Sequence, residues 1–358
     1  QSNVDLIEWR ELLLCCVSPS VFMTPEFMLP ALEHLLYRKE KAKTLVIRKQ
    51  SNQKLVALFF FRNTRTKWKL LQFDMAEYSI VDEIDKPYPL IHAKHENSAW
   101  ELVMDYFLSC HKQWDILDFM ELIPSSPIFQ KTSQFFNLPL YFTIKSMDTY
   151  GPIIDMQQSW CDFFSKHKKI RQKIRKINKD FGDDFEFKIY SGTEVKIGIE
   201  EYIKVEQKSW KAKNNIGISK DSKTITFYQQ FLGGLAKTNS VFFGFIYIRG
   251  EPVSGEIAYT HGENIYFSHG AYNPEYQKYS PGMVSTALFI KSFCDQGYKN
   301  GDFLTGYAKY INPWAKKIIK TERLTILKLS LRMIFVLILV GIKKILWQTC
   351  KKRKSGDS

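Results

Sequence analysis

The chain has 358 residues, 45% hydrophobic and 15% aromatic, enough to fill the cores of roughly two domains of ordinary size. Its 51 lysines and arginines against 37 aspartates and glutamates give a formal net charge of +14, which favours acidic partners: a phosphorylated cofactor, anionic lipid, an acidic glycan or nucleic acid. Six scattered cysteines exclude a disulfide framework, and no Cys-x-x-Cys or Cys/His grouping has zinc spacing, so a reducing cytoplasm, no secretory leader and no metal are expected.

In chain order, Glu26 to Tyr37 reads as an apolar-rich helix, and Thr44 to Arg48 with Leu55 to Arg62 as a hairpin. A helix from about Asn97 to His111 leads into Trp114-Asp115-Ile116-Leu117-Asp118-Phe119, a buried strand. The chain divides near Tyr150, after which the order recurs. A helix from about Ser159 to Lys179 precedes the strand Phe185 to Tyr190, and two helices follow near Lys196 to Lys211 and Thr224 to Lys237. Then comes a meander of Val241 to Ile248, Val253 to Thr260 and Ile265 to Tyr272. The helix Pro281 to Gln296, ended by Gly297, and the strand Asp302 to Gly306 complete it. Both halves close on a helix and then a strand bearing Asp-Phe, Asp118-Phe119 and Asp302-Phe303. That echo predicts an internal duplication with domains at 1–150 and 151–320 and a tail at 321–358.

Gln277-Lys278-Tyr279-Ser280-Pro281-Gly282 stands where the last long helix begins. Ser280 is an N-cap candidate and Pro281 suits the first helical position, where its missing N–H loses nothing. Gly282 adds no side chain, so the first-turn amides of Gly282 and Met283 stay open at the positive end of the helix dipole, beside Lys278. This is a candidate phosphate cradle.

The loop resembles the pyrophosphate-binding loop of the GNAT acyltransferase superfamily, Arg/Gln-x-x-Gly-x-Gly/Ala. Gln277, Ser280 and Gly282 take the three positions, with serine replacing the first glycine. The ordered set Tyr272, Ser280-Pro281-Gly282, Gly297, Asp302, Gly306, Lys309 and Trp314 resembles the cellulose-biosynthesis-protein-like acetyltransferases of that superfamily. The resemblance runs from about Ser159 to about Lys317 and more weakly over the N-terminal part. It implies an α/β (α+β) fold of tandem GNAT-like domains, each a mixed, largely antiparallel twisted sheet flanked by helices. Only the second domain would keep the cofactor cradle; the first would shape the acceptor cleft. The implied activity is transfer of an acyl group from acetyl-CoA, or another acyl-CoA, to an amine of a sugar, a glycan precursor or a small molecule.

Direct attack on a thioester needs a neutral amine, a group to take its proton, and donors for the developing oxyanion. The resemblance places the thioester where the strands Ile265 to Tyr272 and Asp302 to Tyr307 splay, with Gly270 near the end of the first. His269 at that strand end and Glu256 on the preceding strand are competing general bases. Tyr307 is placed to protonate the leaving thiolate, and Asp302 to orient a lysine or tyrosine. Gln277, Lys278, Tyr279, Ser280, Gly282 and Met283 would hold the cofactor. Glu206, Trp210 and Lys211 fit the subfamily's Glu-x-x-x-Trp-Lys pattern on the acceptor side, where Lys309 and Trp314 also belong.

Two basic features remain. Lys166 to Lys176 is an amphipathic helix with a dense cationic face, on which Arg171 and Arg175 lie one turn apart and are placed to grip one phosphate or carboxylate together. No aromatics interleave with these charges, which argues against nucleic acid. From Leu324 to Trp347 the chain is apolar apart from a few charges, and Lys351-Lys352-Arg353-Lys354 follows. Its uninterrupted apolar run, Met333 to Ile342, is about half the ~20 residues a spanning helix needs. An interfacial helix on an anionic membrane, at the inner face, fits better. Two other functions compete: a Fem-like transferase using aminoacyl-tRNA, and a non-catalytic membrane-surface protein.

Overall fold

The structure is a computed structural model and describes residues 4–36, 41–68, 71–157, 160–305, 315 and 317–339. Helices α1 (Leu6–Cys15) and α2 (Pro25–His34) precede strands β1 (Lys41–Arg48), β2 (Leu55–Trp68), β3 (Leu71–Tyr78) and β4 (Leu90–Ile91). Then come α3 (Glu96–Ser109), β5 (Ile116–Leu122), α4 (Ile128–Phe135) and the long β6 (Tyr141–Asp155). The second half runs α5 (Trp160–Lys166), α6 (Lys168–Phe181), β7 (Phe185–Ser191), α7 (Val195–Lys208), the single turn α8 (Trp210–Lys213) and α9 (Ser222–Ala236). It ends with β8 (Val241–Ile248), β9 (Glu251–His261), β10 (Asn264–Tyr272), α10 (Pro281–Asp295), β11 (Asn300–Asp302) and β12 (Lys317–Lys328). Residues 331–339 are helical.

Local chemistry accounts for many of these boundaries. Thr24 accepts from Phe27 N with Pro25 at the first helical position, starting α2, and Asp221 accepts from Thr224 N to start α9. β2 opens with eight consecutive buried residues because side chains pack on both of its faces.

All strands among the described residues join one mixed sheet of 12, in the order β1-β2-β3-β5-β12-β6-β11-β10-β9-β8-β7, with β4 beside β2. The α/β class therefore holds, with helices on both faces. Within the sheet, β1-β2-β3 and β8-β9-β10 are antiparallel meanders. Each is followed by a helix, α3 or α10, and by a parallel strand, β5 or β11. Beyond each parallel strand lies an antiparallel one, β12 beside β5 and β6 beside β11. One closing strand, β6, ends the first half and the other, β12, ends the second, and their long mutual ladder fuses the sheets.

Several expectations need correction. The helix from Ser159 to Lys179 is two helices broken at His167, and the strand placed at Asp302 to Gly306 is Asn300–Asp302. The tail segment 321–358 does not begin as a helix: Thr321 to Lys328 belong to β12, a central strand with Leu324 and Ile326 buried. Alternation of inward and outward residues, with partners on both sides, makes strand the better use of that apolar run. The boundary near Tyr150 falls inside β6, and that at 320 inside β12. Sequence reading also missed α1, β3 and β6.

The largest core cluster belongs to both halves. Trp9, Phe22 and Phe27 from the first 30 residues pack with Tyr202, Phe227, Phe231 and Tyr259. Phe27 meets Phe231 edge to face with ring centroids 4.9 Å apart. Each such ring buries apolar area worth roughly 2–3 kcal/mol.

Candidate active site

β10 and β11 pair for three residues, Asn264 with Asn300, Ile265 with Gly301 and Tyr266 with Asp302, and then part. Past Tyr266, among the described residues, β10 pairs only with β9, and its register shifts between Phe267 and His269, which makes Ser268 a bulge. The parting strands open a cleft of about 530 Å³. Glu256, Gly282, Met283 and Thr286 line it toward α10, and Trp210, Lys211 and His269 line it toward α8 and α9. The cleft thus reaches both faces of the sheet, so two substrates can meet at the splay from opposite sides.

At the α10 end, Ser280 occupies the N-cap position but does not cap through its side chain, contrary to expectation. A side-chain cap needs extended backbone, and Ser280 is left-handed at φ 55°, ψ 53°. That conformation suits glycine, the residue the resemblance has there. Pro281 is at the first helical position, leaving the amides of Gly282 and Met283 without intrahelical partners and at the cleft. A Cβ on Gly282 would stand 3.4 Å from the Tyr272 ring, and one on Gly270 would meet only open space. Gln277 also lines the cleft.

Behind the loop, Tyr279 is buried against Phe181, with the ammonium groups of Lys278 and Lys176 4.9 and 5.3 Å from its ring centroid. Lys173 donates to Lys278 O at 3.3 Å. Part of the cationic face of α6 is therefore brought to the cradle. Arg171 and Arg175 are not assembled as a joint anion grip. Arg171 donates to the carbonyls of Phe164 and Ser165 in the last turn of α5, where the break at His167 ends the helix before their usual i+4 donors.

Glu256 is the most perturbed carboxylate in the cleft. It is buried, and among the described residues its Oε2 has no hydrogen-bond partner. Burial pushes its pKa up to about 8, with Thr286 pulling it back only in part. His269 lies across the strand ladder from it, beside Ile257. Its Nε2 is 3.0 Å from the Tyr228 hydroxyl and its Nδ1 2.5 Å from that of Ser268. Burial, and then Lys211 and Lys220 nearby, push it down to about 3, so the imidazole is neutral with both nitrogens engaged.

On the α8 side of the cleft Glu206 is fully buried. It accepts from Ser219 N at 2.7 Å and lies 3.8 Å from Lys211 Nζ. Lys211 is also 3.4 Å from the Tyr202 hydroxyl, and its burial lowers its pKa. Trp210 beside it is half exposed at the cleft. Gly217, at φ 102°, lies so close that a Cβ would sit 2.3 Å from Glu206 Oε1. Gly217→Ala is accordingly expected to cost roughly 3 kcal/mol through strain and overpacking, read as a fall in the urea midpoint.

Asp302 does not line the cleft. Its carboxylate is held by Lys86 Nζ, 2.7 Å from each oxygen, and accepts from Leu304 N at 2.8 Å. The expected lysine partner thus exists, but it comes from the other half of the chain. Asp85 next to it accepts from Thr305 N (3.2 Å) and from the Thr305 hydroxyl, and Lys86 N donates to Glu121 at 2.6 Å. Lys86, Glu121 and Leu304 all carry positive φ, a concentration of strained backbone around this junction. Sequence reading missed Asp85, Lys86, Ser268, Tyr228, Thr286 and Thr305; Asp85-Lys86 carries no local signal, because the partners of its side chains, Thr305 and Asp302, lie more than two hundred positions away. Tyr307, Lys309 and Trp314 lie outside the described residues.

Residues 165–311, which include the parting strands and the bare helix start, match the family model described as Acetyltransferase (GNAT) domain. No curated protein sequence matches the chain. Among solved structures, FemX superposes with a TM-score of 0.56 at 8% identity, over 92% of this chain and 98% of that one. The C-terminal domain (DUF2156) assigned to a lysylphosphatidylglycerol synthetase of Agrobacterium fabrum gives 0.56 at 10% identity, over 94% and 95%. A conserved protein of unknown function from Bacteroides thetaiotaomicron VPI-5482 gives 0.54 at 10%, over 91% and 99%. At such identities the likeness is one of fold.

Proposed function

We propose that this protein is an N-acyltransferase that moves an acyl group, acetyl in the simplest case, from coenzyme A to an amine on a sugar, a glycan precursor or another small molecule. The observation that carries the reading is the juxtaposition at one cleft of the first-turn amides of Gly282 and Met283, which lack intrahelical partners, and the buried carboxylate of Glu256. An acyl-CoA would supply the activated carbonyl and a thiolate leaving group. The α10 amides, with Gln277 and Lys278, hold its pyrophosphate, and backbone amides at the β10–β11 opening face the carbonyl oxygen. Glu256, with a pKa near neutrality, takes the proton from the attacking amine. Neutral His269 stays hydrogen-bonded and shapes the wall. Trp210 and Lys211 receive the acceptor from the opposite face, where Lys211 meets a negative or hydroxyl-rich group.

A second reading draws on the basic α6 and on the fold likeness to FemX: the donor would be an aminoacyl-tRNA. The experiment that separates the two is ligand-induced stabilisation. Coenzyme A or acetyl-CoA raises the melting temperature if the cradle is real, by the amount its occupancy dictates. Gly282→Val abolishes that shift while leaving the unliganded melting temperature within a degree or two. No shift at millimolar coenzyme A, or co-purifying RNA that supports transfer, removes the first reading.

A further inference from the structure

The exposed apolar residues of this chain are not evenly scattered. On the helix at 331–339, Leu331 is 88% exposed, Phe335 56% and Ile338 55%, at the spacing of one helical stripe, with Ile334 40% beside them. Its opposite side is anchored: Met333 and Val336 are buried against Phe73, Ile116 and Leu327. A second exposed set lies nearby: Leu138 at 70% and Leu140 at 65% in the turn before β6, and Phe142 at 42% and Ile144 at 37% on β6 itself.

These two sets lie on the same face of the sheet. Phe142 pairs with Leu327 and Ile144 with Thr325, and cross-strand partners point to one face. Leu327 packs under the helix, so Phe142 and Ile144 flank that helix on its own side. Leu329 N donates to Leu140 O at 2.9 Å, which ties the start of β6 to the segment entering the helix. No helix among the described residues is long and apolar enough to cross a membrane. The sequence beyond the helix is strongly basic: from Gly341 to Ser358 it has Lys343, Lys344, Lys351, Lys352, Arg353 and Lys354 against one acid, Asp357.

We infer that this composite face, the 331–339 stripe together with the Leu138–Ile144 segment entering β6, docks on an anionic phospholipid surface. The apolar side chains enter the headgroup boundary, and the cations that follow them in sequence pair with lipid phosphates. A second copy of the chain is the poorer occupant, since it would bring like charge against like on a protein of net charge +14. The inference extends beyond acyl transfer and does not rest on it.

The test is co-sedimentation of the full chain with vesicles of phosphatidylcholine, with and without phosphatidylglycerol, at two salt concentrations. Binding to the anionic vesicles that weakens with salt is expected, and Phe335→Glu should reduce it about tenfold or more. Phe142→Glu should reduce it similarly, whereas a tail acting alone would leave it unchanged. Both side chains are exposed, so thermal melts of the variants should match the parent and separate docking from folding. The inference is overturned if neither vesicle binds or if Phe142→Glu binds as the parent does. It is equally overturned if the same substitutions dissolve a dimer while leaving vesicle binding intact.

Discussion

Glu256→Gln should lower kcat by 10²- to 10⁴-fold with little change in KM for the acyl donor, the range a positioned general base contributes. In the parent, kcat/KM should climb with pH and level off above about 8, where the buried carboxylate is ionised. The variant's residual rate should lack that rise. A sharper check is stability. Glu256 has a folded pKa raised above its ordinary 4.5, so the folded state holds a proton that the unfolded chain releases. Its contribution is intact below about pH 4.5 and is lost as pH rises to about 8. Glu256→Gln should therefore flatten the fall in melting temperature between those limits. If turnover survives the substitution with its pH profile intact, Glu256 is not the base, and His269 returns as the alternative despite its engaged nitrogens.

The second large effect is expected from Lys86→Met. It would leave Asp302 mostly buried with no counter-ion, at a cost of roughly 2–3 kcal/mol, somewhat below that of a fully buried pair because both side chains keep some solvent contact. The same change removes one of the side-chain ties between the end of β11 and the first half of the chain, leaving Asp85 to hold Thr305, part of the cleft wall, without the neighbouring ion pair. Displacements of about an ångström at a reacting centre cost as much as 10²-fold, so kcat should fall well beyond what partial unfolding explains. Pairing it with Asp302→Asn should recover much of the stability in urea, since no orphaned charge remains, but not the turnover. Recovery of both would mean that the contact serves folding alone.

That contact marks where sequence reasoning stopped. Lys86 and Asp302 are 216 positions apart, and neither has a neighbour whose type announces the other. The same holds for β12. Its Thr321 to Lys328 stretch is apolar enough to pass for the start of a terminal helix, and only the vacant edge between β5 and β6 makes it a strand. Competing periods cannot be separated over so short a run without knowing its neighbours. The break at His167 was hidden for a related reason: the amphipathic spacing continues across it, and Arg171 turns inward to the carbonyls the break exposes.

By itself the sequence determined the meander of β8 to β10 and the helix start at Pro281, because turn, cap and alternation signals act within a few residues. It also brought Glu256 and His269 forward as rival bases. Tertiary structure alone decided between their environments: one carboxylate sealed beneath α10 with an unsatisfied oxygen, one imidazole held between Tyr228 and Ser268. It alone fused two sheets through β6, which ends the first half, and β12, which ends the second. Burial and long-range pairing are properties of the folded neighbourhood, and no local pattern of residue types encodes them.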